Sequence, residues 1–392
     1  MKPLNYKLTI FSCFSGFITQ AIVVNFPPLL FVAFMKELHL PFYQLTALIT
    51  ITFVIQLIID IGVSKLLNNK NVKFLVVMSQ ISAAIGLAGL SFLPDLMKPY
   101  AFAALIICSC FYSAGSGLIE VAVSPIVENC PTKNKSGFMS LLHSFYCWGS
   151  ALTIGLSTIY FYFFTITNWR LLSLLLAIIP FTNSILMLIM PIPPIESNKT
   201  KIKNNLFSNK SFIYVFVLMF LGGAAELAVS QWASAFAETG LNITKAAGDI
   251  AGPFLFAILM GTGRVTFTLL GGKIRLINYM LLSGAMLTVG FVLAAFSLNP
   301  TISFIGIALC GLSVAIFWPG TLSLATARFG STASLFGTLA FAGDTGCTIG
   351  PLLVGLISEQ YNNSISIGLG YSLIFPVGML IMILILKKKS ID

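Results

Sequence analysis

The stretch Phe14-Ser15-Gly16-Phe17-Ile18-Thr19-Gln20-Ala21-Ile22-Val23-Val24-Asn25-Phe26 lies without a gap over Phe220-Leu221-Gly222-Gly223-Ala224-Ala225-Glu226-Leu227-Ala228-Val229-Ser230-Gln231-Trp232. Gly16 meets Gly222, Gln20 meets Glu226 and Asn25 meets Gln231, so polar positions repeat along with apolar ones. Gly117 to Pro125 matches Gly311 to Pro319 in the same way. Matches in the same order along both parts of the chain describe a duplicated unit.

Composition says what solvent that unit sees. Only 9% of the 392 residues are charged and 57% are hydrophobic, with Phe occurring 34 times. A soluble domain needs a polar exterior, so most of this surface must face lipid. A spanning helix takes about 20 apolar residues. Apolar runs bounded by charges predict twelve spans, near 8–35, 43–66, 72–93, 99–127, 136–164, 169–190, 211–238, 246–270, 276–297, 300–327, 332–358 and 364–386. The first run follows Lys2 and Lys7 as a secretory leader would, yet it extends to Met35 without a small-residue cleavage site and reads as a span. Pro191 to Ser211, rich in Pro, Asn and Lys, separates six spans from six. The expected fold is an all-α membrane protein of twelve transmembrane helices in two parallel six-helix pseudo-repeats. Its parts are an N-terminal bundle over 1–190, a cytoplasmic linker over 191–211 and a C-terminal bundle over 212–392.

Basic residues orient this arrangement. With the N-terminus in the cytoplasm, only Lys36, Lys98, Arg170 and Lys245 of the 22 Lys and Arg fall outside. Both halves then obey the positive-inside rule. The net charge of +10 is thereby a topology signal spread over loops, and no nucleic-acid patch remains. The expected location is a bacterial cytoplasmic membrane, with both termini cytoplasmic. Cys13, Cys108, Cys110, Cys130, Cys147, Cys310 and Cys347 lie in or beside apolar runs without CxxC or metal spacing, and read as small helix residues. No metal or other cofactor is expected.

Ionisable side chains within spans cost about 2.5–3.5 kcal/mol on insertion scales and turn toward the bundle interior. Glu120, Glu226 and Asp344 stand well inside spans four, seven and eleven, with no basic residue at comparable depth. Low dielectric favours the neutral form of a carboxyl, the property a proton-coupled carrier needs; the plain alternative is a protonated acid bonded to a neighbouring helix. Helical rise places Glu120 and His143 roughly 10–12 Å from the cytoplasmic ends of spans four and five, a depth that permits a proton-relay pair. Gln20 and Glu226 lie roughly 18–22 Å in, near mid-membrane. Gln20, Asn25 and Gln231 carry amides suited to hydroxyl-rich ligands. Trp148, Trp232 and Trp318, with Tyr146, offer flat faces for a sugar ring, whereas Trp169 suits an interface anchor. Asp60 with Lys65, and Arg264 in the matching position after span eight, are expected in gating loops; ordinary loop charges are the alternative. Gly346-x-x-x-Gly350-Pro351-x-x-x-Gly355 reads as close helix packing.

Two parallel six-span halves resemble the major facilitator superfamily. Gly117-Leu-Ile-Glu120-Val-Ala-Val-Ser-Pro125, then Leu141-Leu-His143-Ser-Phe-Tyr146-Cys-Trp148-Gly149, and Gly222 to Trp232, resemble its fucose-permease-like branch. That resemblance implies sugar–proton symport, with Glu120 at the position of the branch's span-four glutamate. The branch's symporter also has a span-one aspartate, where this chain offers Gln20 and Asn25, and Ser124 precedes Pro125 where the branch usually has asparagine. The sequence thus predicts a monomeric secondary active transporter, working by alternating access on a sugar-like solute and protons, and not an enzyme. A multidrug or metabolite efflux antiporter is the alternative, although the Gly-Pro motif expected in span five is missing. A non-transporting receptor is the remaining one.

Overall fold

The computed structural model describes residues 6–64, 71–131, 135–193, 206–270, 275–329 and 333–388. Among these residues there are helices and connecting turns but no strand. A bilayer core offers no water to an unpaired N–H or C=O, and a helix satisfies both within one segment. Twelve helical spans are long and apolar enough to cross: Lys7–Leu29, Phe42–Ile59, Val72–Leu96, Lys98–Val127, Leu141–Phe164, Ile166–Ile189, Lys210–Gly240, Lys245–Phe267, Leu276–Phe296, Pro300–Phe329, Gly337–Gln360 and Ile365–Lys388. They are numbered here 1 to 12, and the expected all-α architecture is the one observed.

Proline places several interruptions. It lacks an N–H and crowds the carbonyl four residues earlier. Span 10 parts into Pro300–Val314 and Phe317–Phe329 at Ala315, four residues ahead of Pro319. Span 12 parts into Ile365–Tyr371 and Ile374–Lys388 at Ser372, four ahead of Pro376. In span 8, Pro253 comes four residues after Asp249, and the backbone widens to a π turn over Ile250–Phe254. Pro27 and Pro28 end the first helix, and a short helix, Phe31–Glu37, follows Leu30.

The chain divides into two compact units, Met1–Gln44 with Ile51–Ser197, and Leu45–Thr50 with Asn198–Asp392. In the first, Cys13, Phe14, Phe17, Val76, Ile119, Val123, Leu142 and Met187 form a buried cluster where spans 1, 3, 4, 5 and 6 meet. Spans 3 and 4 touch backbone to backbone. A Cβ on Gly86 would lie 2.5 Å from Tyr112 N, and one on Gly115 the same distance from Ser79 O. The second unit repeats this between spans 9 and 10, where a Cβ on Gly306 would lie 2.5 Å from Ala294 N. In the same unit Gly343, Gly346 and Gly350 of span 11 rest on Gly223, Phe220 and Ala224 of span 7. Small residues let helix axes approach in this way, and close packing is what holds helices together in lipid.

Gly115→Val should therefore lower the unfolding free energy by about 1–3 kcal/mol through overpacking. Gly62→Ala, whose new Cβ would meet nothing within 4 Å, should be neutral or slightly stabilising. Melting curves of the two purified variants beside the parent protein test this. Equal melting temperatures for all three would contradict the close approach of spans 3 and 4.

Candidate functional site

In the first unit, two polar residues from distant parts of the sequence meet. Gln20 Nε2 on span 1 donates to Glu120 Oε2 on span 4 at 2.8 Å. Counted from helix ends, the two lie at different depths: Gln20 is 13 residues from Lys7, about 20 Å, and Glu120 is 8 from Glu128, about 12 Å. The bond brings the two side-chain tips together across that difference in count.

Span 5 supplies the rest of this cluster. Asn25 Nδ2 donates to Ser150 Oγ at 2.9 Å and to Ala21 O at 2.9 Å, and Ser150 Oγ donates to Tyr146 O at 2.9 Å. Gly149 allows this, since a Cβ there would come within 2.9 Å of Ala21 Cβ. The His143 ring stands edge-on to Phe17, with centroids 5.2 Å apart. Trp148 keeps 38% of its surface exposed, and Tyr146 is half-buried. Deeper in the unit, Thr19 Oγ1 donates to Gln80 Oε1 at 2.9 Å and Gln56 Nε2 to Ser116 Oγ at 3.1 Å. These buried bonds fix the rotation of spans 1, 2, 3 and 4 about their axes.

The second unit is arranged differently. Glu226 is buried on span 7. Arg264 lies within the helix Leu255–Leu270 and is not a loop residue, which corrects its expected loop placement. Gln231 and Trp232 sit at an interruption of span 7, both buried. Trp232 has 0% exposure and its indole N–H donates to Pro351 O at 3.0 Å. A ring with no accessible face cannot stack on a ligand in this conformation, so Trp232 acts here as packing. Trp318 is half-buried, with its six-membered ring against Gly343, next to Asp344 on span 11. The Asp60 side chain and Lys65 lie outside the described residues.

Charges at the helix ends were read from sequence as topology signals and do more than that. Trp169, near the start of span 6, is fully buried within the unit. Its Nε1 donates to Glu37 Oε2 at 3.0 Å, and Arg170 lies over its ring at 4.4 Å. Arg170 also bonds Glu37 at 3.0 Å and holds Asp95 through two bonds, at 2.7 and 3.1 Å. This joins the Phe31–Glu37 helix and spans 3 and 6 at one end of the first unit. In the second unit Lys245, Glu238 and Asp249 gather around Ser234. Their spacing gives the signal that sequence reading passed over: Ser234 and Glu238, then Lys245 and Asp249, each stand at i and i+4 on one helix face. Among the described residues no group of His, Cys, Asp and Glu could hold a metal ion, and the seven cysteines are free.

Twelve spans in two units, with hydrogen-bonded and charged side chains buried inside each, define a polytopic membrane protein of the transporter kind. The chain belongs to the Major Facilitator Superfamily, whose family model matches residues 8–351. Solved structures agree on the fold. The E. coli fucose:proton symporter FucP, in a point-mutant form, superposes with a TM-score of 0.64 at 15% identity, covering 97% of this chain and 98% of that one. The nucleoside transporter NupG, also a point mutant, gives 0.73 at 15% identity, covering 98% of each chain. A bacterial homolog of the human lysosomal transporter Spinster gives 0.70 at 13%, covering 97% and 96%. A search of curated protein sequences finds no match.

Gln20→Leu and Glu120→Met should each cost about 1–3 kcal/mol, because each leaves a partly or fully buried polar partner unpaired. The double variant should cost well under the sum of the two. Unfolding free energies from a double-mutant cycle in detergent read this directly. Strict additivity would mean that the two side chains do not meet.

Proposed function

We propose that this transporter is a proton-coupled symporter of a sugar or a similar hydroxyl-rich solute, working by alternating access, with Glu120 as its proton-carrying group. The observation that carries the reading is the Gln20–Glu120 hydrogen bond, 2.8 Å long and formed inside the first unit. An amide N–H can donate both to a carboxylate and, more weakly, to the carbonyl oxygen of a protonated acid. The carboxyl can therefore gain and lose a proton without losing its anchor. Glu226, buried on span 7, is a second candidate for that role.

The substrate class rests on the polar inventory around this acid. Gln20, Asn25 and Ser150 offer donors and acceptors on spans 1 and 5, and Trp148 on span 5 leaves part of its ring exposed. Amides beside a flat apolar face suit a ring that is polar at its edge and apolar on its face. The fold likeness to a fucose:proton symporter and a nucleoside transporter is consistent with such solutes. We place the protein in the cell membrane as a monomer with both termini cytoplasmic, and assign His143 and Asp344 supporting parts in proton movement.

Uptake of a panel of labelled sugars and nucleosides into reconstituted vesicles tests the reading. One solute should accumulate under an inward proton gradient and lose that accumulation when the gradient is collapsed. Glu120→Gln should lower accumulation of that solute about 10-fold or more, equivalent to about 1.4 kcal/mol of driving force, while sparing its counterflow exchange. Undiminished accumulation by Glu120→Gln would remove Glu120 from the coupling scheme. Movement of lipophilic cations, with no sugar or nucleoside taken up, would replace symport by efflux.

A further inference from the structure

Three of the buried polar atoms that lack a hydrogen-bond partner among the described residues sit on facing turns in the first unit. They are Ser12 Oγ on span 1, Gln80 Nε2 on span 3 and Asn183 Oδ1 on span 6. Ser12 and Gln80 are 0% exposed and Asn183 is 1% exposed. Leaving a buried polar atom unpaired is costly, and three at one helix junction point to a shared partner.

Neighbouring bonds set where these atoms lie. Asn183 Nδ2 donates to Ser12 O at 3.1 Å, which leaves Oδ1 as the unused half of that amide. In an α-helix Ser12 O also receives the Gly16 N–H, so Asn183 stands beside the turn from Ser12 to Gly16. Thr19 Oγ1 donates to Gln80 Oε1 at 2.9 Å, which turns Gln80 Nε2 the other way. A Cβ built on Gly16 would lie 3.6 Å from that Nε2, 3.4 Å from Met187 Cε and 3.6 Å from Val123 Cγ2. Met187 follows Asn183 by one helical turn, and Ser12, Gly16 and Thr19 share one face of span 1.

Gly16 differs from the glycines that carry close helix contacts. A Cβ on Gly86 or Gly115 would lie 2.5 Å from backbone atoms of the neighbouring helix, whereas one on Gly16 meets only ordinary van der Waals distances. A methyl group therefore fits beside Gln80 Nε2, and a water molecule is smaller than a methyl group. An internal water needs room for about one probe sphere and about two to four polar partners. The donor set selects the occupant as well. Gln80 Nε2 only donates, Asn183 Oδ1 only accepts and Ser12 Oγ does both. A cation would be opposed by the amide N–H and an anion by the amide carbonyl. Water, with two protons and two lone pairs, satisfies all three.

We propose that the first unit binds one ordered water at Gly16, which accepts from Gln80 Nε2 and donates to Asn183 Oδ1, with Ser12 Oγ as its third partner. The water links spans 1, 3 and 6 through polar bonds inside an otherwise apolar cluster. It completes the bonding of Gln80, whose other end holds Thr19, and so steadies the rotation of the helix that carries Gln20. The site does not depend on the transport reading.

Full-length protein in detergent is exposed to X-ray radiolysis, which makes hydroxyl radicals from waters where they sit, and methionine oxidation is counted by mass spectrometry. Met187, Met280 and Met379 are 0% exposed and Met219 is 1% exposed, so burial alone predicts slow oxidation of all four. With a water at Gly16, Met187 should oxidise several-fold faster than the other three. Gly16→Ala, whose methyl group takes the water's place without a clash, should bring Met187 down to their rate. Gln80→Leu should lower it too, and leaves Thr19 an acceptor in Ser15 O at 3.3 Å. A crystal structure of the parent fine enough to show solvent should carry water density within hydrogen-bond reach of Gln80 Nε2, and one of Gly16→Ala should not. Equal oxidation of the four methionines in the parent, Met187 oxidation that Gly16→Ala leaves unchanged, or no such density in the parent crystal would each overturn the proposal.

Discussion

In a bilayer a polar group has nowhere to go but to another part of the protein. Most features of this structure are ways of meeting that demand. Helices satisfy the backbone. Hydroxyls turn back to the carbonyl one turn earlier, as in Thr153 to Gly149 at 2.8 Å and Thr348 to Asp344 at 2.9 Å. Side chains too large for such local bonds reach across to a neighbouring helix. Gln20 finds Glu120, Asn183 finds Ser12 O at 3.1 Å, and Trp232 finds the Pro351 carbonyl. That last acceptor lies in span 11, on the helix that Gly346 and Gly350 bring against span 7. Close packing and polar satisfaction thus depend on each other.

The duplication keeps packing and changes chemistry. Gly86 and Gly115 in the first unit do what Gly290 and Gly306 do in the second, letting two backbones meet. Against this constant frame the polar positions are exchanged. Gln20 on span 1 corresponds to Glu226 on span 7, and Glu120 on span 4 corresponds to the buried Val314 on span 10. A carboxyl has in effect moved from the fourth span of one unit to the first span of the other. Pro125 and Pro319 also correspond, yet span 4 continues to Glu128 while span 10 parts four residues before its proline.

Much of the fold was legible because length and hydropathy are one-dimensional properties. Twelve apolar runs were countable, and the first run's end differed only where Pro27 and Pro28 divide it. Side-chain partners were not legible in the same way. Counting residues from a helix end assumes vertical helices and short side chains, which is why Glu120 and Gln20 looked separated. Trp169 was read as an anchor because aromatic residues at span ends often are. Its burial depends on Glu37 and Arg170, far from each other in sequence. Lys245 was treated as a loop charge, although Asp249 one turn later was visible as its i+4 partner. Burial of that pair is set by Gly248 meeting Ala237, a contact no periodicity reveals.

The partners also divide the acids. Glu238 and Asp249 stand at ion-pair distance from Lys245, and separating such charges is costly in a low-dielectric surround, where Coulomb attraction is strongest. Glu120 meets a neutral amide, Gln20 Nε2, at 2.8 Å. On the proposed reading, proton sensitivity is concentrated in the first unit because its acid has an anchor without a counter-charge. In the second unit Lys245 and its carboxylates form an ion-paired group, whose cost of separation favours rigidity. On that reading, a carrier built this way would couple to protons through the unit whose acid meets an amide.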